Sequence, residues 1–460
     1  MSERYRELIF VGLIVAGLAL GGLFDVVAGD VAEPPTPAVA HGDFVARALY
    51  CPATAGEGRR QIGVASESGA AVPVGIGAVE RQDLAAGRAL IHRGGGTEAT
   101  PVTGFNESIA ASGAVSSSSP VGGASAAQCA RSASTRWFFA GGSAGLDFDE
   151  RILLYNPFPD EAVVRLTFFT PGGQETKSSF EEVPVPAGQL ESVQINEAIR
   201  VRSTVSVAIE ARRGRVVAWK EVFARPDDRP RGAQGTLGAT DVATTWYFPD
   251  GAIGPGADER LSILNPTSNE AVISVTLTTA EETLQPEELL EVSVPRRSTL
   301  SLKINDFVTK KDFSTMSATI NSVNGVGVVA ERTVWYSTDE LSGVTSDTGL
   351  REPYRQWMLG PPTLTPTTDS IILMNPGARA TTASISLLRA DGEAIEPAEL
   401  TDLELGPGAR RRIPVGEFTG GRPMVALASA ESPLLAERFS YSAEDSDAAA
   451  VMGMPIRQLP

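Results

Sequence analysis

Carboxylates are the residues of this chain best placed for chemistry, because histidine and cysteine are scarce. The 460 residues include two histidines, His41 and His92, so residues 93–460 hold no imidazole. A Ser-His-Asp or Cys-His nucleophile needs an imidazole beside it, and zinc sites of Cys and His fall to the same count. No Gly-rich loop follows a strand-like run and opens a helix-like one, so nucleotide binding has no motif to rest on. Asp147-Phe148-Asp149-Glu150 offers clustered oxygen ligands of the kind Ca²⁺ takes. Its counterparts thin to Asp258-Glu259 and then to Asp369 alone, and a solvated loop accounts for the cluster more simply. Two acids flanking a cleft could hydrolyse a glycosidic bond, but that geometry depends on a separation across the fold. Glu221, Glu331 and Glu437 recur close to a common register, which points to structure or surface, since an active site is seldom built several times over. The expectation is a protein that is not an enzyme, with no catalytic residue, cofactor or metal.

Cys51 and Cys129 are the only cysteines. In an oxidising compartment they most simply pair with each other, and closing so long a loop is worth ~4–5 kcal/mol in the chain-entropy account. Two free buried thiols or an intermolecular bond would be the other outcomes. Neither cysteine has a histidine in the pattern of a thiol catalyst.

The elements that carry these residues repeat. Trp137-Phe138-Phe139-Ala140-Gly141 leads, 19 positions on, to Asn156-Pro157. Trp246-Tyr247-Phe248-Pro249 leads after 19 to Asn265-Pro266, and Trp357-Met358-Leu359-Gly360 leads after 18 to Asn375-Pro376. The tryptophans are 109 and 111 residues apart. A hydrophobic run precedes each Asn-Pro, and an alternating run such as Ala162-Val163-Val164-Arg165-Leu166-Thr167-Phe168 follows it. Period-2 alternation punctuated by Gly and Pro is the strand signal. About seven such runs per ~110 residues is the size and strand count of an immunoglobulin-like sandwich. Asn starts turns and Pro cannot donate to a ladder, so each Asn-Pro reads as the end of a strand. Trp137, Trp246 and Trp357, lying on strands, read as covers for a core or a joint in preference to platforms for a sugar.

A degenerate copy precedes these three, with Leu49-Tyr50-Cys51-Pro52 aligned to Trp246-Tyr247-Phe248-Pro249. It is dominated by Ala, Ser and Gly, so its core should be weak at ~25 cal/mol per Å² of apolar surface buried. Both cysteines fall in this copy, which supports their pairing. The expected fold is all-β: tandem immunoglobulin-like β-sandwich repeats, 45–133 (degenerate, with the disulfide), 134–243, 244–354 and 355–460, after one N-terminal transmembrane helix.

That helix is read from Leu8 to Phe24, an uncharged run of 17 residues, about 26 Å long as a helix and just enough to cross a bilayer. Arg4 and Arg6 precede it, which keeps residues 1–7 cytoplasmic and sends the rest across. Residues 8–28 read as a signal anchor; Val26-Val27-Ala28 also resembles a cleavage site, and the run exceeds the usual 7–15-residue apolar core of a signal peptide. Residues 29–44, with Pro34, Pro35 and Pro37, read as a stiff stalk. The bulk of the chain is thus expected outside the cytoplasm of a single-pass membrane protein. A net charge of −17 repels phosphate backbones and argues against nucleic acid. Lys occurs only at 177, 220, 303, 310 and 311, so nearly all the basic residues are Arg.

With the repeats aligned, the chain resembles a family of actinobacterial membrane-anchored cell-envelope proteins of unknown function, whose repeats begin Trp-aromatic-aromatic and carry Asn-Pro about twenty residues later. The third repeat departs from that pattern at Met358 and Leu359. The resemblance implies an envelope role and supplies no site residues. The expectation is a structural or interaction protein with an envelope protein or a cell-wall glycan as partner. A glycan-binding protein is the second reading, and a glycan-processing enzyme comes third.

Overall fold

The alternating runs form strands in the computed structural model of the chain, which describes residues 46–456 apart from 55–57, 67, 78–80, 106–108 and 118–121. In Ala162–Thr170, Ala271–Thr279 and Thr381–Leu388, buried and half-buried residues alternate. Each of these strands therefore turns one face to a core, as period 2 dictates. Among the described residues the result is an all-β fold of seven antiparallel sheets, two in each of three modules and one continuous sheet in a fourth. In the second module, one sheet runs Leu190–Gln194, Phe148–Tyr155, Val217–Ala224, Gly232–Leu237. The other runs Gly173–Glu175, Ala162–Thr170, Ser206–Arg213, Arg136–Phe139. The third module repeats this order. In the fourth, one long strand, Val425–Ser442, runs through both layers, so its two layers are continuous.

The modules do not string out as beads. A strand near the end of each is an inner strand: Ala124–Gln128, Gly232–Leu237, Ser342–Thr348 and Asp447–Met452. Each is hydrogen-bonded to its own sheet on one side. The first then packs on the second, the second on the third, the third on the fourth, and the fourth on the first. The ring closes, and four sheet edges that would otherwise face water meet at its axis. Residues 46–460 accordingly form one compact unit.

Cores continue across the joints. Phe138, Phe169 and Ala239 of the second module belong to the third module's cluster, and Tyr247 and Leu350 of the third pack on that of the fourth. The first module, poor in large side chains, borrows most. Its cluster of Leu49, Ile62, Val64, Val74 and Val102 is completed by Met358, Leu388, Val425, Met454 and Ile456 of the fourth. Cys51 and Cys129 form a disulfide within that cluster, with Cα atoms 4.1 Å apart and a sequence separation of 78. The bridge ties the module's first strand to the segment leaving its last. The signal anchor expected at 8–28 and the stalk at 29–44 lie outside the described residues, among which no helix is long and apolar enough to cross a membrane.

Replacing both cysteines by Ser should lower stability to urea by roughly 4–5 kcal/mol. Because the first core is shared, hydrogen exchange should rise in Met454–Ile456 together with residues 46–130. Protection lost from 46–130 alone would contradict the shared core.

Candidate functional site

The repeat-defining residues do the same structural work in each module. Trp137, Trp246 and Trp357 are buried, and each indole N–H donates to a backbone carbonyl: Val216 at 2.8 Å, Val328 at 2.9 Å and Leu434 at 2.8 Å. A ring so placed covers a core with its polar edge satisfied, and it offers no face to a sugar. Asn156, Asn265 and Asn375 are buried as well. The side-chain amide of Asn156 donates to the carbonyls of Asp160 (2.8 Å) and Val185 (3.0 Å) while its Oδ1 accepts from the N–H of Phe158 (3.0 Å). Asn265 repeats this with Asn269, Val294 and Thr267, and Asn375 with Arg379, Leu405 and Gly377. Pro157, Pro266 and Pro376 follow half-buried, where the ladder ends.

The four modules meet at a single carboxylate. Asp447 opens the fourth inner strand, 1% exposed. Its Oδ1 accepts from the backbone N–H of Val344 (2.9 Å) and Ala448 (2.9 Å), and its Oδ2 from those of Ala124 (3.1 Å) and Ala233 (2.8 Å). The donors are one from each module, at matching positions. The preceding residue in the other three modules is Gly123, Gly232 or Gly343. A Cβ on Gly123 would lie 2.7 Å from Asp447 Oδ2, one on Gly232 2.7 Å from Oδ1, and one on Gly343 would overlap Oδ1. Gly123 (φ +121°) and Gly343 (φ +115°) also adopt backbone that side chains disfavour. Burial raises the Asp447 carboxyl well above the usual carboxylate range, and the four N–H groups act against that rise.

Around this centre the joints are built from buried charge. Lys220 of the second module pairs with Glu331 of the third, and Arg332 of the third with Glu437 of the fourth, each partner at most 1% exposed. Glu331 also accepts from the N–H of Gly141 (3.0 Å) and Glu437 from that of Asp250 (2.9 Å). In the fourth module Arg438 turns inward to its own Asp369, bidentate at 2.9 and 2.6 Å. Glu331 and Glu437 share one position, opposite Ser262 and Ile372, where the second module carries Trp219 opposite Leu153. Glu221 sits two residues later and accepts a hydrogen bond from Thr54 across the first joint.

The acidic run at 147–150 comes apart in space. Asp149 pairs with Arg151 (2.9 Å) and accepts from Gln194 (2.6 Å), while Glu150 is fully buried beside Lys220. Glu259 occupies the matching place beside Arg332. Burial pushes Glu150 up to about 7 and Glu259 up to about 8, against the pull of the neighbouring cation. Among the described residues no group of three or more His, Cys, Asp or Glu could hold a metal ion.

At the far ends of the inner strands, away from Asp447, a cavity of about 910 Å³ opens on the axis. All four modules line it, through residues such as Gln128, Tyr247, Thr348, Arg351, Tyr354 and Met452. Asp347 lies in its floor with Oδ2 buried and unbonded, 3.6 Å from Arg332. The wall mixes cations, hydroxyls and backbone, which suits a small polar ligand. The sequence marked Trp137, Trp246, Trp357 and Cys129 of its lining but not the cavity itself, because its residues come from separated segments of four modules that only ring closure brings together.

A family model matches residues 78–323 of the chain. The chain belongs to the family of unknown function DUF5719. No curated protein matches it. Among solved structures it is similar to a Thermotoga maritima protein, 1070, at 17% identity over 24% of this chain and 96% of that one, with a TM-score of 0.21. It is also similar to a chain in the atomic structure of Sulfolobus turreted icosahedral virus, at 11% identity over 73% of this chain and 86% of that one, with a TM-score of 0.15. Nothing of either is carried over to this DUF5719 chain.

Asp447→Ala should cost roughly 4 kcal/mol or more, since four buried N–H groups lose their acceptor, and thermal melts should show all four modules weakened together. Glu259 gives a pH dependence of definite sign. Its carboxyl is raised in the folded state, so the stability it contributes is complete below pH ~4.5 and is lost as pH climbs to about 8. Glu259→Gln should flatten the fall in stability between pH 5 and 8, a difference on the order of 4 kcal/mol at ~1.4 kcal/mol per pH unit. Parallel urea curves for wild type and variant at both pH values would show the assignment to be wrong.

Proposed function

We propose that this protein is a non-enzymatic, membrane-anchored component of a bacterial cell envelope, which holds a rigid ring of four immunoglobulin-like sandwiches outside the cytoplasm and acts through interactions of its surface. The observation that carries this reading is the carboxylate of Asp447 shared among four modules: it makes one stiff body of about 410 residues out of parts that would otherwise flex at three linkers. The recurrent glutamates support the same reading, because Glu331 and Glu437 are committed to ion pairs within the joints. The uncharged run from Leu8 to Phe24, with arginines before it, supplies the anchor. The resemblance to actinobacterial envelope proteins supplies the setting.

The axial cavity favours a second reading, in which the ring binds a cell-wall glycan there, with Tyr247 and Tyr354 as the available aromatic faces. Trp137, Trp246 and Trp357 are withdrawn from that role by burial.

Cells lacking the protein should regain envelope integrity when given the wild-type chain and fail to regain it when given the anchored Asp447→Ala chain at equal abundance. Full rescue by that variant would refute the rigid-ring reading. Titration of the purified full chain with soluble cell-wall polysaccharide fragments separates the second reading: saturable binding, lost on Tyr247→Ala, supports it, and a flat titration removes it.

A further inference from the structure

Lys220 is out of keeping with its setting. The chain uses Lys at only five positions among 39 basic residues, and the places matching 220 in the next two modules hold Arg332 and Arg438. The lysine is also the most deeply enclosed kind of amine, 1% exposed over the Phe139 ring, with Nζ directly against Oε1 of Glu331 and the carbonyl of Gly141. Glu331 is held from its other sides. Its Oε2 accepts from the N–H of Gly141 at 3.0 Å and its Oε1 from Ser346 Oγ at 3.0 Å. On the other side of the Gly141-Gly142 backbone lies Glu150, fully buried, with Oε1 free of any hydrogen bond. An amine, a carboxyl in contact with it and a second carboxyl beside them, all shut off from water, are the parts an amide condensation needs.

We propose that Lys220 and Glu331 condense to an isopeptide bond that joins the second module to the third. The neutral amine attacks Cδ of Glu331, the Nζ–Cδ bond forms and the Cδ–Oε1 bond breaks. Of the three protons of the ammonium one stays on the amide nitrogen and two leave with Oε1 as water, so nothing is oxidised or reduced and no co-reactant is consumed. The N–H of Gly141, already on Oε2, stabilises the negative charge that gathers there in the tetrahedral intermediate. Glu150 serves as the proton relay, taking one from the amine and returning it to the departing oxygen. Its carboxyl, pushed up to about 7 by burial, exchanges protons readily near neutrality.

The driving force is the setting itself. Two charges buried without water are costly, and the amide replaces them with one neutral group that still bonds Gly141 while a water is released. Arg332 and Glu437, at the next joint, stay an ion pair, because a guanidinium is never deprotonated in a protein and is not a nucleophile. One joint is therefore covalent and its neighbour is not.

The deciding measurement is a tryptic digest of the reduced, purified full chain, read by mass spectrometry. The expected result is one branched peptide, Val216–Arg231 joined to Asp312–Arg332, since trypsin cuts neither Arg225 nor Arg229 before proline nor an acylated Lys220; it is lighter by one water than the two together, with fragmentation placing the link at Lys220 and Glu331. Val216–Lys220, Glu221–Arg231 and Asp312–Arg332 found separately at their sequence masses, with trypsin cutting after a free Lys220, would mean a plain ion pair and would overturn the proposal. Lys220→Arg, which installs the residue the later modules use, should keep the fold by circular dichroism and yield the same three segments, cut after position 220 and unlinked. A linked product from that variant would place the bond elsewhere and overturn the assignment too. For Glu150→Gln, linkage followed over time after cell-free synthesis at pH 5 to 9 should slow by on the order of 10²-fold and lose its dependence on pH near 7. Linkage as fast as in wild type would remove Glu150 from the step.

Discussion

The carboxylate of Asp447 has four lone-pair directions, and each is filled by a backbone N–H from a different module. That one buried, fully bonded carboxyl group sets the geometry of everything around it. Four inner strands must start at the same level, within hydrogen-bond reach of one point, and their sheets must therefore radiate from a common axis. Three of the four modules must leave room for the side chain of the fourth, which is why Gly123, Gly232 and Gly343 stand where Asp447 stands. A fourfold arrangement with four identical residues there would have either four crowded carboxylates or an unfilled set of donors. Asymmetry at one position is what lets the symmetry close.

The joints that surround this centre are not equivalent, and their differences follow from what each module brings. Between the second, third and fourth modules the sheets meet through buried cation–carboxylate pairs whose remaining oxygens are bonded to backbone N–H groups. Such pairs hold because the geometry compensates the loss of water, and they specify which surface fits which. The first module carries Gly113 and Ser112 in the places of the cation and the acid, so its joints use other means. It takes large side chains from the fourth module, such as Met454 and Ile456, into its own core and closes its own loop with the disulfide. The module with the smallest side chains is thus the one braced both covalently and by its neighbour.

How much of this was legible in the sequence depends on the range of the interaction. The Trp and Asn-Pro signals reported local structure faithfully: a Trp at the start of a strand covers the core below it, and an Asn before Pro fills its hydrogen bonds within five residues and one neighbouring strand. Glu331 and Glu437 were also marked by their recurrence, although Glu221 proved to stand two residues off their register. The acidic run at 147–150 misled, because alternation along the strand sends Asp149 outward to Arg151 and Glu150 inward to Lys220. The axial cavity was not legible as a cavity, since the repeat-marking Trp137, Trp246 and Trp357 and the polar residues that line it with them come from four modules far apart in sequence.

Alternation, punctuation and a ~110-residue period determined by themselves that this chain is all-β and built from four related units, because each of those features is fixed by neighbours in sequence and by water. They also left the two cysteines in one unit, where pairing needed only a shared sandwich. Closure of the ring, the sharing of cores between modules, the role of Asp447 and the company of Lys220 were decided by the tertiary structure alone. The physical reason is that each rests on groups contributed one apiece from segments about a hundred residues apart, and a single aspartate or lysine has no periodicity to betray it.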